Sequence, residues 1–227
     1  VGRMESQIRG LNMSIRNIKD GQSLVNTQEG AMQEITALLQ RMRELAVQAA
    51  NGSLTEADKD YLQLENVNLA REIKAIGLNT KFNDTAVLTG TQFTFYADID
   101  VAGTAITTVT AAMSVTRLNI ATATISIGGG ESQADIKETI SILDTAIDRV
   151  NDKRANLGAV SNRFDHIIDN LTNVVANTES SKSRVEDADF AIETTQLTRN
   201  TVLQQAATSM VAQANAQKNT ILALIQN

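Results

Sequence analysis

The most constraining feature of the chain is something it lacks. Its 227 residues include no proline, where ordinary usage is about 5%. Proline interrupts a helix by removing a donor and clashing with the preceding turn, so a chain without it can run long helices. The apolar pattern is arranged for that. Residues 1–50 carry Ile8, Leu11, Ile15, Ile18 and Val25, then Met32, Ile35, Leu39, Met42, Ala46 and Ala49. Steps of three and four alternate within each group, which is the spacing of a coiled-coil seam. The phase slips between Val25 and Met32, near Gly30, which predicts local over- or underwinding. Asn51-Gly52 is a turn signal, and Ser53-Leu54-Thr55-Glu56 reads as a capping box. It would open a second helix over about 54–77, with Leu62, Leu69, Ile73 and Ile76 on one face.

The third helical stretch carries the longest seam. Ser132 and Asp135 form a capping pair, followed by Ile136, Ile140, Leu143, Ile147, Val150, Leu157, Phe164, Ile168, Leu171 and Val175. Every gap is three, four or seven, so one seam persists for roughly five and a half heptads. A helix over 132–178 would span roughly 70 Å. Such a rod cannot bury its seam alone, which predicts a bundle of three long antiparallel segments. Ser180-Ser181 then suggests a break, with Ser183 and Glu186 as a further capping box. The final helix carries Leu203, Ala207, Met210, Ala214, Ile221 and Leu224 along one stripe. Its last 25 residues hold a single charge, Lys218. An Ala-rich apolar helix of this kind needs close neighbours, from an assembly or a membrane surface.

Between the helices the period changes. Residues 83–130 are rich in Thr, Val, Ile, Ala and Gly, with Phe93/Phe95 and Ile125/Ile127 alternating, which predicts short strands or hairpins. Gly128-Gly129-Gly130 closes the segment. No P-loop Lys-Ser/Thr follows it, so a hinge is the better reading than a phosphate cradle. The fold class expected is mainly α: a long antiparallel helical rod with a small β-hairpin region in its middle.

Composition narrows the function. With 20 Lys+Arg against 26 Asp+Glu the net charge is -6, and aromatic residues make up 3%. Neither a basic footprint for DNA nor an aromatic platform for single strands is present. The absence of cysteine excludes disulfides, thiolate metal sites and cysteine nucleophiles. No run approaches the ~18 apolar residues of a membrane span, and a signal-peptide core is missing from the N-terminus. The chain enters a helical pattern at once and looks cut from something longer, or processed.

Candidate chemistry is sparse. His166, the single histidine, lies between Phe164 and Ile168 beside Asp165. A triad would need a nucleophile and an orienting acid converging on it, and nothing in the sequence points there. Asp98 and Asp100 lack the further oxygen ligands of a calcium loop. Arg154 occupies a seam position, which reads as register-setting or snorkelling. Glu186, Asp187 and Asp189 suit the positive end of a helix dipole. The expectation is a non-enzymatic protein without cofactor or metal.

Longer motifs point to a family. Ile8-Arg9-Gly10-Leu11, Asp20-Gly21-Gln22-Ser23, Thr27-Gln28-Glu29-Gly30-Ala31 and the stretch from Leu39 through Arg41, Leu45 and Asn51 to Gly52 resemble the amino-terminal region of bacterial flagellins. Thr80-Lys81-Phe82-Asn83 resembles the family's Phe-Asn-Gly turn, with Asp84 in place of the usual glycine. Ser183 to Glu193, Leu203 to Ala206 and Ala212 to Asn215 are similar to the carboxy-terminal region. The likeness covers about 1–90 and 130–227. It implies a short type of flagellin that lacks the extreme N-terminal segment, with 1–82 as the N-terminal part of a rod domain. Residues 83–130 would be a short variable β-rich region, 131–180 the C-terminal rod helix and 181–227 the terminal helix for filament assembly.

The resemblance further implies a helical homopolymer serving motility, and an extracellular location reached by type III export without a cleaved signal. An export chaperone at the C-terminus and the cap and hook-filament junction proteins would be its partners. It also implies recognition by the vertebrate Toll-like receptor for flagellin through Arg41, Leu45 and Glu65. Heterologous contacts that do not close are what generate such filaments. A rival expectation is a flagellin-like surface protein that binds a polysaccharide, for which Phe93, Phe95 and Tyr96 are the only aromatic cluster. A membrane-lytic bundle, resting on the apolar C-terminus, is a third.

Overall fold

The computed structural model describes residues 1–96, 105–109, 113–121 and 124–225. Among the described residues, four helices and two small antiparallel sheets follow one another: α1 (Gly2–Ala49), α2 (Glu56–Asn79), β1 (Lys81–Phe82), β2 (Thr85–Ala86), β3 (Gln92–Tyr96), β4 (Ala105–Val109), α3 (Val115–Leu118) and α4 (Gln133–Ile225). Mainly α with a small β region is therefore the architecture, as the seams predicted. Two compact units are present: residues 10–173, and residues 1–9 with 174–227.

In the first unit, side-chain bonds record how α1 and α4 run. Gln22 donates to Asp165 at 2.7 Å, Arg154 to Glu29 at 2.8 Å, Arg43 to Asp144 at 2.5 Å, and Gln133 to the Ala50 carbonyl at 2.9 Å. As one number rises the other falls, so the helices are antiparallel. Arg41 pairs with Glu65 and ties α2 to α1. Arg154 thus holds register, placing two guanidinium nitrogens on Glu29 Oε1 in a half-buried pair.

The phase slip predicted in α1 does not occur. Buried positions run Ile18, Gly21, Val25, Gln28, Met32, Ile35, Leu39, Met42, Ala46 and Ala49 without a missed step. Gly21 and Gln28 occupy seam positions that an apolar reading passes over. At Gly21 an added Cβ would lie 3.1 Å from Phe95 and 3.2 Å from Phe164. Those two rings meet edge to face there, their centroids 5.8 Å apart. The glycine is needed for the space it leaves, since a side chain would push this aromatic contact apart.

In α2 the innermost residues are Asn66, Ala70, Ile73 and Gly77; Leu62, Leu69 and Ile76 flank them as half-buried contacts. In α4 the seam passes through Ile136, Thr139, Leu143, Ala146 and Val150, leaving Ile140 and Ile147 half-buried at its shoulder. Bulk had suggested Ile140 and Ile147; smaller Thr139 and Ala146 hold the centre, where another chain segment comes close.

That segment is described over 113–121 and 124–130, and the strand expected at Ile125/Ile127 is not formed. Both isoleucines are fully buried in irregular chain. Side chains replace a strand partner. Asn66 Nδ2 donates to the Ile125 carbonyl at 2.8 Å, and the Ile127 N–H donates to Gln63 Oε1 at 2.8 Å. Thr139 Oγ1 donates to the Ser126 carbonyl at 3.1 Å, and the Gly129 N–H to Asp60 Oδ1 at 2.9 Å. Gly77 admits the Met113 carbonyl, which would lie 2.7 Å from an added Cβ, and Gly129 lies as near to the Glu56 carbonyl. The Gly triplet's part is therefore close approach at Gly129, and no positive φ is found in it. Buried backbone groups must find partners, and here helix side chains provide them.

The hairpins are more local. Asn83 (φ 47°) and Asp84 (φ 61°) both take the left-handed region between β1 and β2. This is the two-residue loop whose twist matches a hairpin. β3 pairs with β4 from Gln92 opposite Val109 to Tyr96 opposite Ala105, and Phe93 and Phe95 alternate inward as expected.

Two boundaries differ from expectation. The α2 capping box is Thr55 with Asp58, two residues beyond the one predicted. Asn51 is the cause: its Oδ1 accepts from the Ser53 N–H at 3.2 Å, holding Ser53 in the turn. At α4 the predicted pair is correct, with Ser132 and Asp135 bonding reciprocally. No new helix begins at Ser183. α4 is unbroken from Gln133 to Ile225, and Ser181 returns its hydroxyl to the Asn177 carbonyl within the helix. A serine that bonds the preceding turn does not cap.

Two predictions follow from this packing. Leu143→Asp, which buries an unpaired charge, should lower unfolding free energy by about 3–5 kcal/mol. Ile147→Asp, on the half-buried shoulder, should cost clearly less; equal losses by urea denaturation would place the seam wrongly. The second prediction concerns acid. Hydrogen bonds from Thr55 and Ser132 hold the Asp58 and Asp135 carboxyls below their ordinary value of 3.8. Because the folded-state values are depressed, the caps contribute fully above pH 3.8 and lose their contribution as pH falls below it. The melting-temperature gap between wild type and Asp58→Asn/Asp135→Asn should be widest near neutrality and close in strong acid. A gap independent of pH would show that the carboxylates are not the stabilising form.

Candidate assembly and recognition surfaces

In the second unit, Ile8 and Val175 are the buried apolar residues, each 9% exposed. Around them Glu5, Ile8, Arg9, Glu179, Lys182, Ser183 and Glu186 line an open groove of about 440 Å3. Arg9 pairs with Glu5 and Lys182 with Glu186, each one helical turn apart. Glu186 is therefore an ion-pairing residue inside α4, and no longer a residue at a helix start. The side chains of Asp187 and Asp189 lie outside the described residues.

Further along α4 the surface changes. Val185, Phe190, Ile192, Leu197, Val202, Leu203, Met210 and Val211 all stand exposed, from 46% at Val185 to 72% at Phe190. At 100° per residue, Val185 and Ile192 fall on the stripe predicted from Leu203, Ala207, Met210 and Ala214. Phe190, Leu197 and Val211 make a second stripe, roughly 100° around the helix. The second stripe was missed because its members are spaced by seven and fourteen; a helical wheel would have shown it. Hydroxyls of Thr194, Thr195, Thr198, Thr201 and Thr208 bond carbonyls of the preceding turn. Their hydrogen-bonding capacity is spent within the helix, which leaves the surface more apolar than its composition suggests. Apolar residues around so much of a helix need partners on more than one side. The side chains of Ile221 and Leu224 lie outside the described residues.

The recognition residues separate. Arg41 donates through Nε and Nη2 to Glu65, at 2.9 and 2.8 Å, and through Nη1 to Glu44 at 3.2 Å. Its hydrogen bonds to Glu65 first, then to Glu44, raise its pKa further above the ordinary value. Leu45 is 1% exposed and packed in the core. Four residues advance a helix by about 40° beyond a full turn, and that offset carries Leu45 inward while Arg41 stays out. The exposed site is thus Arg41, Glu44 and Glu65, with Leu45 beneath it. Arg43, pulled upward in pKa by its bond to Asp144, is a separate pair between α1 and α4.

His166 is exposed, and Asp165 beside it is occupied by Gln22. Asp98 and Asp100 lie outside the described residues. Among the described residues, no cluster of three or more His, Cys, Asp or Glu side chains could hold a metal ion, and no helix is long and apolar enough to cross a membrane. Tyr96 is 46% exposed while Phe93 and Phe95 face the bundle, so the three do not line one groove.

Residues 1–93 match the bacterial flagellin N-terminal helical region, and residues 140–225 the bacterial flagellin C-terminal helical region. Flagellin of Halalkalibacterium halodurans is 36% identical over 225 residues, spanning 99% of this chain and 82% of that one. Flagellin of Bacillus subtilis is 36% identical over 254 residues, spanning 99% and 84%. The crystal structure of Bacillus cereus flagellin aligns with a TM-score of 0.60 at 34% identity, covering 72% of this chain and 94% of that one. A flagellar hook-associated protein of Vibrio parahaemolyticus shares the fold, with a TM-score of 0.69 at 15% identity over 80% and 94%. With both helical regions matched and near-full-length relatives above a third identical, the chain belongs to the bacterial flagellin family, the structural subunits of the flagellar filament.

Proposed function

We propose that filament assembly by this chain is carried by residues 181–227, on a rod made by 1–82 and 131–180, with 83–130 as the variable region. The observation that carries this reading is the double stripe on α4, whose apolar side chains stand 46–72% exposed in the isolated subunit. Small Ala207 and Ala214 alternate with Leu203 and Met210, which suits close helix packing. Ile221 and Leu224 extend the stripe by the same spacing. Association would bury this area at about 25 cal/mol per Å2 of apolar surface.

Family membership supports delivery in the unfolded state through the flagellar type III channel. The same apolar stripe is what an export chaperone would cover before assembly under the filament cap, and the first subunits would meet the hook-filament junction proteins. For the Toll-like receptor, Arg41 and Glu65 are the proposed contacts, an arginine being a frequent hot-spot residue. Leu45 would act from below, holding α1 so that Arg41 is presented. No catalytic role is proposed for any residue.

Leu203→Asp and Met210→Asp should abolish polymerisation of the full-length protein while leaving the monomer's melting unchanged, since both side chains are already exposed. Amides of 203–214 should exchange quickly in the monomer and become protected in the filament. Filaments of normal length from either variant, or equal strong protection in both states, would overturn the assignment. A receptor-reporter cell assay tests the second surface: Arg41→Ala should lose most of the signal given by wild type. Equal signals from both proteins, or none from either, would remove the receptor from the list of partners.

A further inference from the structure

We propose that Asn51-Gly52 is a self-modifying site, at which the turn between α1 and α2 deamidates to aspartate and isoaspartate without an enzyme. The turn is built for it. Among the N–H groups of residues 50–54, those of Ala50, Asn51, Ser53 and Leu54 are donated, to the Ala46 carbonyl, the Gln48 carbonyl, Asn51 Oδ1 and the Asn51 carbonyl. The Gly52 nitrogen is given no acceptor and is free to act as the nucleophile. The Ser53 N–H, 3.2 Å from Asn51 Oδ1, polarises the side-chain carbonyl. It sits where negative charge develops as that carbonyl is attacked. Asn51 and Gly52 are both exposed, so water and hydroxide reach them.

Nothing structural explains the glycine. An added Cβ at Gly52 would meet no atom within 4 Å, and its φ is not in the left-handed region. Gly21, Gly77 and Gly129 each admit a close neighbour, whereas Gly52, like Gly2, Gly30, Gly130 and Gly158, has open space around it. Other susceptible pairs in the chain are shielded. Asp20-Gly21 lies inside α1, with Gly21 buried, so ring closure there would first have to break the helix. Asn83 and Asn119 are followed by Asp84 and Ile120, whose side chains crowd the attacking nitrogen.

The chemistry balances with water alone. The Gly52 nitrogen forms a bond to Asn51 Cγ and gives its proton to solvent. The Cγ–Nδ2 bond breaks, and Nδ2 takes up a proton and leaves as ammonia, closing a succinimide. Water then opens the ring. Addition at Cγ yields aspartate; addition at the main-chain carbonyl routes the backbone through Cβ and Cγ, giving isoaspartate with one extra methylene in the chain. Either product places a negative charge at the C-terminal end of α1, the unfavourable end of its dipole. The isoaspartate also lengthens the turn beside the Ala50 carbonyl, which accepts from Gln133 Nε2 at 2.9 Å. The tie between the α1–α2 turn and the start of α4 would then be loosened.

The test is ageing of the native chain at neutral pH and body temperature, beside the same chain unfolded in denaturant and a folded Gly52→Ala variant. Peptide mass spectrometry reads the gain of one mass unit, and an isoaspartyl methyltransferase assay reads the isomer. Expected is conversion confined to the peptide containing Asn51, in the native chain at least as fast as in the unfolded one. Gly52→Ala should melt like wild type and lose the conversion. Because that variant needs no rearrangement, its loss reports chemistry and not unfolding. Slower conversion in the native chain than in the unfolded one, conversion centred on another residue, or undiminished conversion in Gly52→Ala would each overturn the proposal.

Discussion

The structure depends on one exchange: side chains in the helical seams supply hydrogen bonds to a stretch of chain that has no ladder of its own. The chain around the fully buried Ile125 and Ile127 enters the bundle, and a buried amide left without a partner costs about 1–3 kcal/mol. Asn66, Gln63 and Thr139 meet that need from α2 and α4, and Gln28 does the same for Val87 from α1, at 2.9 Å. Each stands at a position where a simple coiled coil would place an aliphatic residue. The seams are therefore mixed, apolar where helix meets helix and amide-bearing where helix meets irregular chain. These bonds satisfy the backbone at the fully buried Ile125 and Ile127.

Rigidity and incompleteness are distributed differently along the same helices. In residues 10–173, large side chains such as Phe164, Ile18, Leu39 and Leu143 are fully buried, and ion pairs fix the register. Those pairs are half exposed, so each contributes modestly; their value lies in admitting one alignment of α1 against α4. In residues 174–217, α4 continues with the same propensity for helix but presents its apolar side chains outward. A subunit of a filament needs both conditions. In the assembly proposed above, one part keeps its shape, and the other keeps free the apolar area that would drive association with a neighbouring copy.

Much of this was legible in the sequence, and the misses share a cause. Absence of proline and the three-four spacing located the helices, and Ser132 with Asp135 gave the start of α4 to the residue. Expectation failed where polar or small residues did work usually given to bulk. Gly21 and Gln28 hid the continuity of the α1 seam, and Thr139 and Ala146 lay behind the larger Ile140 and Ile147. Ser183 looked like a cap, yet hydroxyls in this part of α4 bond backward into the helix, and which way a serine turns is not written in its spacing. For Arg41 and Leu45, the i, i+4 spacing did not tell exposure from burial: Arg41 stays outside while Leu45 turns into the core.

The sequence by itself determined the long helices, their seams, the family and the apolar stripe of the last helix, because periodicity and proline content are local properties that survive without neighbours. Only the tertiary structure decided that Leu45 faces inward, that Arg41 is held by Glu65, and that Ile125 and Ile127 are buried without being a strand. Each of these depends on what approaches from far along the chain: Glu65 reaches Arg41 from a second helix, and Asn66 meets the Ile125 carbonyl across 59 positions. A one-dimensional pattern records which residues want partners. The folded chain determines which partners arrive, and at which atoms.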